Sequence, residues 1–337
     1  MNRIAIAVVG LADGPEATAG TGILNCLSAH RFLRVGVIAD ATEAGAYQQR
    51  LLDKVALLPP PSSPTFVAAM LDCISTFDLK AIIPGSAAIA ANLQIGAVEF
   101  AARGACLIQS GSAAYLDQLF SDVASHGALP MLARDAIQSP EEAGAHPACF
   151  SGLIQGEHGT RKKCFDTWQA IRACESIGDS AKSISAWDSC QVFEAVIVPD
   201  THGKVLASAT VRVLADDDNL RPWMAVSVQN DELDQLLQRI SSQLCLDGPV
   251  QVLLQQVNSQ FLIASVQPGL PIWIEITRAA GPDLLAIAID SALQGESAIA
   301  FDRPQRVPAG ILFSQSAEDL VLNDQHPLAA QLQSQNR

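Results

Sequence analysis

The stretch Glu194-Ala-Val-Ile-Val-Pro-Asp-Thr-His-Gly-Lys-Val-Leu206 places two apolar, β-branched runs on either side of a four-residue turn. Asp200-Thr-His-Gly203 is a turn signal. The flanking runs, residues 191–198 and 204–213, are therefore expected to pair as an antiparallel hairpin. Downstream, residues 249–256 and 260–266 repeat the pattern around Asn258-Ser259. An amphipathic helix over 232–244 separates the two hairpins, and a last helix is expected over 283–293. The C-terminal part thus reads as an antiparallel sheet with helices packed on it.

Upstream, the pattern changes to alternation of strands and helices. Ile4 to Val9 is a continuous apolar run, as in a strand buried on both faces. Gly20-Thr-Gly22 opens a helix whose apolar positions are Ile23, Leu24, Leu27 and Phe32. Strands follow at 35–39, 55–58, 80–83 and 106–108, with a helix starting at Ser63-Pro64 between the second and third of these. Such alternation implies right-handed βαβ units and a parallel sheet. The middle, 113–188, holds a helical run at 115–125, an extended piece at 130–135, and a helix start at Ser139-Pro-Glu-Glu142. A glycine-rich turn within Cys149-Phe-Ser-Gly-Leu-Ile-Gln-Gly-Glu-His-Gly159 comes next, then a short helix at 167–175. The tail after Asn323 is polar.

Composition narrows the function classes. Of 337 residues, 49% are hydrophobic and 5% aromatic, which suits an aliphatic, sheet-centred core. A net charge of -14 with only 21 Lys and Arg argues against a nucleic-acid partner and against an anionic membrane surface. The apolar run at the N-terminus has strand length and lacks a cleavage pattern, and no stretch approaches the roughly 20 residues that span a bilayer. Eight cysteines are scattered without a CxxC pair, so no zinc site is expected. Cys26, Cys73, Cys106 and Cys245 lie in apolar stretches, as buried thiols do. A reducing, cytoplasmic setting is expected.

The order of elements over residues 3 to 296 resembles the ATP-grasp superfamily, closest to the carbamoyl-phosphate-synthase-like carboxylate–amine ligases. The resemblance rests on the Ile4–Val9 strand, Ser63-Pro-Thr-Phe-Val67, Ala81-Ile-Ile-Pro-Gly-Ser86, Gly127 to Pro130 followed by Ser139-Pro-Glu-Glu142, the hairpin quoted above, and Asp247-Gly-Pro249 before the second hairpin. It implies an α/β chain of four parts. A parallel-sheet pre-ATP-grasp domain (1–112) precedes a small lid lobe (113–188), a larger antiparallel-sheet lobe (189–325) and a loose tail (326–337). It also implies ATP in a cleft between two antiparallel sheets, and a homodimer as the common assembly.

That chemistry needs lysines on the triphosphate and carboxylates on magnesium, the latter normally from a Glu-Ile-Asn-Pro-Arg run on the last sheet. Here the Asp-Lys pair that opens the grasp region corresponds to Asp117-Gln118, the Lys-Pro of the next strand to Ser151-Gly152, and the metal-binding run to Ser265-Val266-Gln267-Pro268-Gly269. Between Leu246 and Gly269 the only acid is Asp247. These substitutions count against Mg2+ and against catalysis. What remains is a glycine-rich loop with Gly156 and Gly159, followed by Arg161-Lys162-Lys163, whose amides and charge suit a phosphate. Glu194 stands where the family places an acid near the ribose. The plainer readings are a solvated hairpin for the loop and a surface charge at a strand edge for Glu194.

Other constellations weigh less. Gly10, Gly14, Gly20 and Gly22 lack the GxGxxG spacing of a dinucleotide site, although a crevice beyond the strand ends near Gly10, Gly85 and Ser86 suits a small molecule. The six histidines form no nucleophile motif, and Asp216-Asp217-Asp218 reads as an exposed turn. Taken together, the residues point to an ATP-grasp-like protein without catalytic residues, binding a small molecule or a partner protein, as a non-catalytic binding or complex subunit in a biosynthetic pathway. The alternative is an active ATP-dependent carboxylate–amine ligase with relocated ligands.

Overall fold

The computed structural model describes residues 3–12, 18–39, 43, 51–111, 115–116, 118–119, 129–130, 134–136, 152–155, 161–164, 182–185, 191–216, 222–257, 259–294, 301 and 303–315. β1 (Ile4–Val9), β2 (Phe32–Ile38), β3 (Lys54–Leu57), β4 (Leu79–Pro84) and β5 (Cys106–Leu107) form a five-stranded parallel sheet in the order β3-β2-β1-β4-β5. The central position of β1 explains its unbroken apolar sequence. Ile6 and Val8 face one core, shared with α1 (Gly20–Cys26). Ala5, Ala7 and Val9 face another, filled by Phe66, Met70 and Ile74 of α2 (Phe66–Phe77), Leu93 of α3 (Ala87–Gln94) and Phe100 of α4 (Ala97–Ala102). α2 stops at Asp78, whose left-handed backbone (φ 52, ψ 48) turns the chain directly into β4.

A second, four-stranded antiparallel sheet joins β6 (Arg134–Ala136), β7 (Gly152–Gln155), β8 (Arg161–Cys164) and β9 (Lys182–Ser185) in the order β6-β9-β7-β8.

The third sheet contains β10 (Gln191–Pro199), β11 (Val205–Asp216), β12 (Pro222–Val228), β13 (Val250–Val257), β14 (Gln260–Pro268), β15 (Gln305–Arg306) and β16 (Leu312–Ser314). Its order is β14-β13-β10-β11-β12-β16, with β15 beside β11. Alternation along β10 separates two cores. Phe193, Ala195 and Ile197 pack beneath Leu233, Leu236, Leu237 and Ile240 of α5 (Asp231–Gln243). α5 begins where Asn230 accepts hydrogen bonds from the Glu232 and Leu233 amides, and its first turn carries three acids that suit the helix dipole. On the other face, Val196 and Val198 join Ile6, Val8, Trp273 and Leu285, Ala288 and Ile289 of the last helix. α6 (Glu275–Ala280) and this last helix, α7 (Leu284–Gln294), lie between the parallel and antiparallel sheets, so one core serves both.

Polar contacts reinforce this joint. Ser110 Oγ donates to Asp247 Oδ1 at 2.9 Å and accepts from the Asp247 amide. Asn25 donates to Glu275 at 2.8 Å, and Arg31 pairs with Asp290. A Cβ on Gly248 would stand 2.3 Å from the Gln109 carbonyl oxygen, so a side chain there would push the two parts apart.

Both expected hairpins and the helices over 232–244 and 283–293 are present within a few residues of their expected ends. Seven of the described elements were not foreseen: α3, α4, α6, β9, β12, β15 and β16. α3 and α4 are alanine-rich and give little apolar contrast, while β12 follows a run of acids and β16 is a three-residue edge strand. The tail 326–337 lies outside the described residues.

Candidate ligand cleft

The sheet face that carries Val196 is apolar toward β11 and polar toward β14. Three cross-strand rows define the polar end. Val196 pairs with Gln251, which pairs with Gln267; Glu194 pairs with Leu253, which pairs with Ser265; Val192 pairs with Gln255, which pairs with Leu262. Residues in register share a face, with diagonal neighbours roughly 7–8 Å apart. Glu194, Ser265 and three glutamines therefore converge on one area.

Glu194 is neither at a strand edge nor on the surface. It sits on β10 between β11 and β13, is 5% exposed, and accepts a 2.8 Å hydrogen bond from Trp273 Nε1. Trp273 reaches it because the chain reverses after β14. Gly269 takes φ +100, and Gln251 Nε2 holds the Leu270 carbonyl at 2.8 Å, which brings the fully buried indole back over the sheet.

Two other polar side chains here have no hydrogen-bond partner among the described residues. Gln255, fully buried, leaves both its amide nitrogen and its oxygen unmatched, and so does the hydroxyl of Ser265. A buried polar group without a partner costs roughly 1–3 kcal/mol. Such orphans in a folded chain call for a ligand or an ordered water.

The chemistry on offer is hydrogen bonding by neutral amides and a hydroxyl, with one carboxylate already engaged. A magnesium ion is usually held by carboxylates together with substrate phosphates. Leu253 and Ser265, side by side on β13 and β14, bring neither. Among the described residues, no group of three or more His, Cys, Asp or Glu could hold a metal ion.

Lys162 lies on β8 opposite Ile154 of β7, so the two strands flank the glycine-rich turn as expected. Gly156, Gly159 and His158 fall outside the described residues, as does Asp117. The sequence reading missed Trp273 and Gln255, and named Ser265 only as a lost metal ligand. A signal for Gln255 existed: Gln251, Leu253 and Gln255 alternate with core residues Val250, Val252 and Leu254, so a polar face was readable. Nothing marked Trp273, since its partner is 79 residues away.

The glycines at the parallel strand ends serve packing. A Cβ on Gly85 would lie 2.2 Å from the Gly10 carbonyl oxygen, and one on Gly20 would lie 2.1 Å from the same atom. Ser86 spends its hydroxyl capping α3, accepting from the Ile89 amide. Cys26 and Cys73 are buried, and burial pushes the Cys73 thiol up to about 11; Cys245, expected inside, is exposed.

No family model and no characterised protein sequence matches the chain. Solved structures do. The biotin carboxylase domain dimer of Hydrogenobacter thermophilus 2-oxoglutarate carboxylase, in complex with MgADP, ADP and bicarbonate, superposes with a TM-score of 0.65 at 12% identity, over 90% of this chain and 72% of that one. Campylobacter jejuni biotin carboxylase, in a β-γ-ATP complex, gives 0.63 at 12% identity, over 88% and 72%. Rhizobium etli pyruvate carboxylase gives 0.63 at 13% identity, over 88% of this chain but 30% of that longer one. The parallel sheet, the antiparallel sheets and their helices are thus those of the biotin carboxylase domains, and the chain has the ATP-grasp fold.

Proposed function

We propose that the chain is a non-catalytic ATP-grasp protein: a binding or complex subunit of a biosynthetic pathway that holds a ligand without magnesium-dependent phosphoryl transfer. The observation that carries this reading is the cross-strand row Glu194–Leu253–Ser265, in which the one carboxylate is bonded to Trp273. Phosphoryl transfer rests on positioning and on neutralising charge, and this row brings no second carboxylate for a metal. The unmatched Gln255 and Ser265 support a ligand that hydrogen-bonds through neutral groups, such as the base or sugar of a nucleotide.

In this reading the amides of Gly156 and Gly159 and the charge of Lys162 are the anion contacts. Glu194 takes the ribose end. The dimeric Hydrogenobacter domain supports a homodimer, which light scattering checks. The buried thiols Cys26 and Cys73 support a reducing, cytoplasmic setting.

The test is calorimetry with ATP, with and without Mg2+, alongside an assay for ADP release in the presence of bicarbonate. The expected result is an affinity indifferent to Mg2+ and no ADP. Mg2+-dependent tightening or turnover of ATP would overturn the proposal in favour of an active ligase with relocated ligands.

A further inference from the structure

We propose that a second site, on the α5 side of the antiparallel sheet and away from the cleft, binds a small polyanion: a metabolite carrying two or more phosphate or carboxylate groups. A cavity of about 940 Å³ lies between the β10–β11 turn, α5 and the segment entering β15. His202 and Lys204 line it from the turn. Gln235, Gln238, Arg239 and Ser242 line it from α5, at the i, i+3, i+4, i+7 spacing of a single helix face. Among the described residues, no acid lines it.

The walls are held independently of any ligand. Asp200 Oδ1 accepts the backbone amides of His202 and Lys204, both at 2.9 Å, so that carboxylate is directed into the turn's own backbone. Gly203 takes φ +77 and lies so close to α5 that a Cβ would stand 2.9 Å from the Ser241 carbonyl oxygen. Arg306 of β15 pairs with Asp234 at 2.6 Å and with Asp231 at 3.3 Å, tying the third wall to the start of α5. The volume is that of a small-molecule site that is already formed.

Charge points to the ligand class. In a chain of net charge -14, three basic side chains share this one cavity. Among the described residues, neither Lys204 nor Arg239 has a carboxylate partner. The cations come from two separate elements, the β10–β11 turn and α5, which suits a ligand carrying more than one anionic group. The guanidinium and the glutamine amides would give it geometry as well as charge.

Pyrophosphate and citrate are the probes, titrated calorimetrically into the wild type, Lys204→Gln and Arg239→Gln. Both altered side chains are exposed, and unchanged melting temperatures without ligand verify the variants' folds. Binding of either probe by the wild type, weakened tenfold or more in each variant, supports the site. Pyrophosphate alone would assign phosphate chemistry, citrate alone carboxylate chemistry. Failure of both probes to bind at millimolar concentration, or equal binding by wild type and variants, would overturn it. This site would also accept ATP, so the ATP titration is repeated in both variants: ATP binding that they keep belongs to the cleft, and binding that they lose belongs here.

Discussion

Trp273 Nε1 donates a 2.8 Å hydrogen bond to Glu194 Oε2 in the buried space between the antiparallel sheet and its covering helices. An indole large enough to fill that space brings one polar atom with it, and the carboxylate receives that atom. The bond thus serves packing and polar pairing together.

Trp273→Phe should keep most of the ring's volume and remove the donor. A hydrogen bond to a charged group contributes about 1.5–3 kcal/mol, so urea unfolding should show a loss in that range. Glu194→Gln retains an acceptor and should cost less. In the double variant the two losses should fall short of their sum; additive losses would mean that the bond contributes nothing.

Gln255→Leu replaces two unmatched buried polar atoms with an apolar group of similar size. The variant should be about 1 kcal/mol more stable than the wild type in urea. It should also lose affinity for whatever occupies the cleft. A clear destabilisation would show that the amide is satisfied in solution.

Gly248→Ala adds a methyl group 2.3 Å from the Gln109 carbonyl oxygen, in the segment that leaves β5. Overpacking of this kind costs about 1–3 kcal/mol. The melting temperature should fall by several degrees, and hydrogen exchange should quicken at Ser110 and Asp247, the pair beside it.

Asp53 gives a pH-dependent prediction. Burial raises its pKa, but hydrogen bonds from the Arg34 amide and side chain and from Arg3 outweigh that and hold it below the usual carboxylate range. Its contribution to stability is therefore complete above the unfolded-state value near 4 and fades as pH falls through the lower folded-state value. The difference in urea midpoint between wild type and Asp53→Asn should be flat from about pH 5 to 8 and shrink below about pH 4.

The sequence revealed what local patterns can reveal. Ile4–Val9 announced a two-sided strand because every position is apolar, and Asp200-Thr-His-Gly203 announced a turn because aspartate and glycine there have the right backbone chemistry. The site was legible only in its losses. Ser265 and Gln267 could be seen as replacements along one strand, but Leu253 as the neighbour of Ser265 depends on register between strands. Glu194 could be placed on a strand, yet its burial depends on β11, β13 and Trp273, which reach it from distant sequence. Cys245 misled for a related reason: an apolar neighbourhood in sequence became an exposed left-handed position after α5.

The shared core between the two large sheets has a consequence for how the chain is made. Ile6 and Val8 are synthesised first, yet the side chains that cover them include Trp273, Leu285 and Ile289. At ribosomal speeds of about 5–20 residues per second, the first sheet waits on the order of ten seconds or more with one oily flank covered only in part, by α1. A nascent chain halted on the ribosome before α7 should therefore recruit chaperones, which release it once Ile289 has left the exit tunnel.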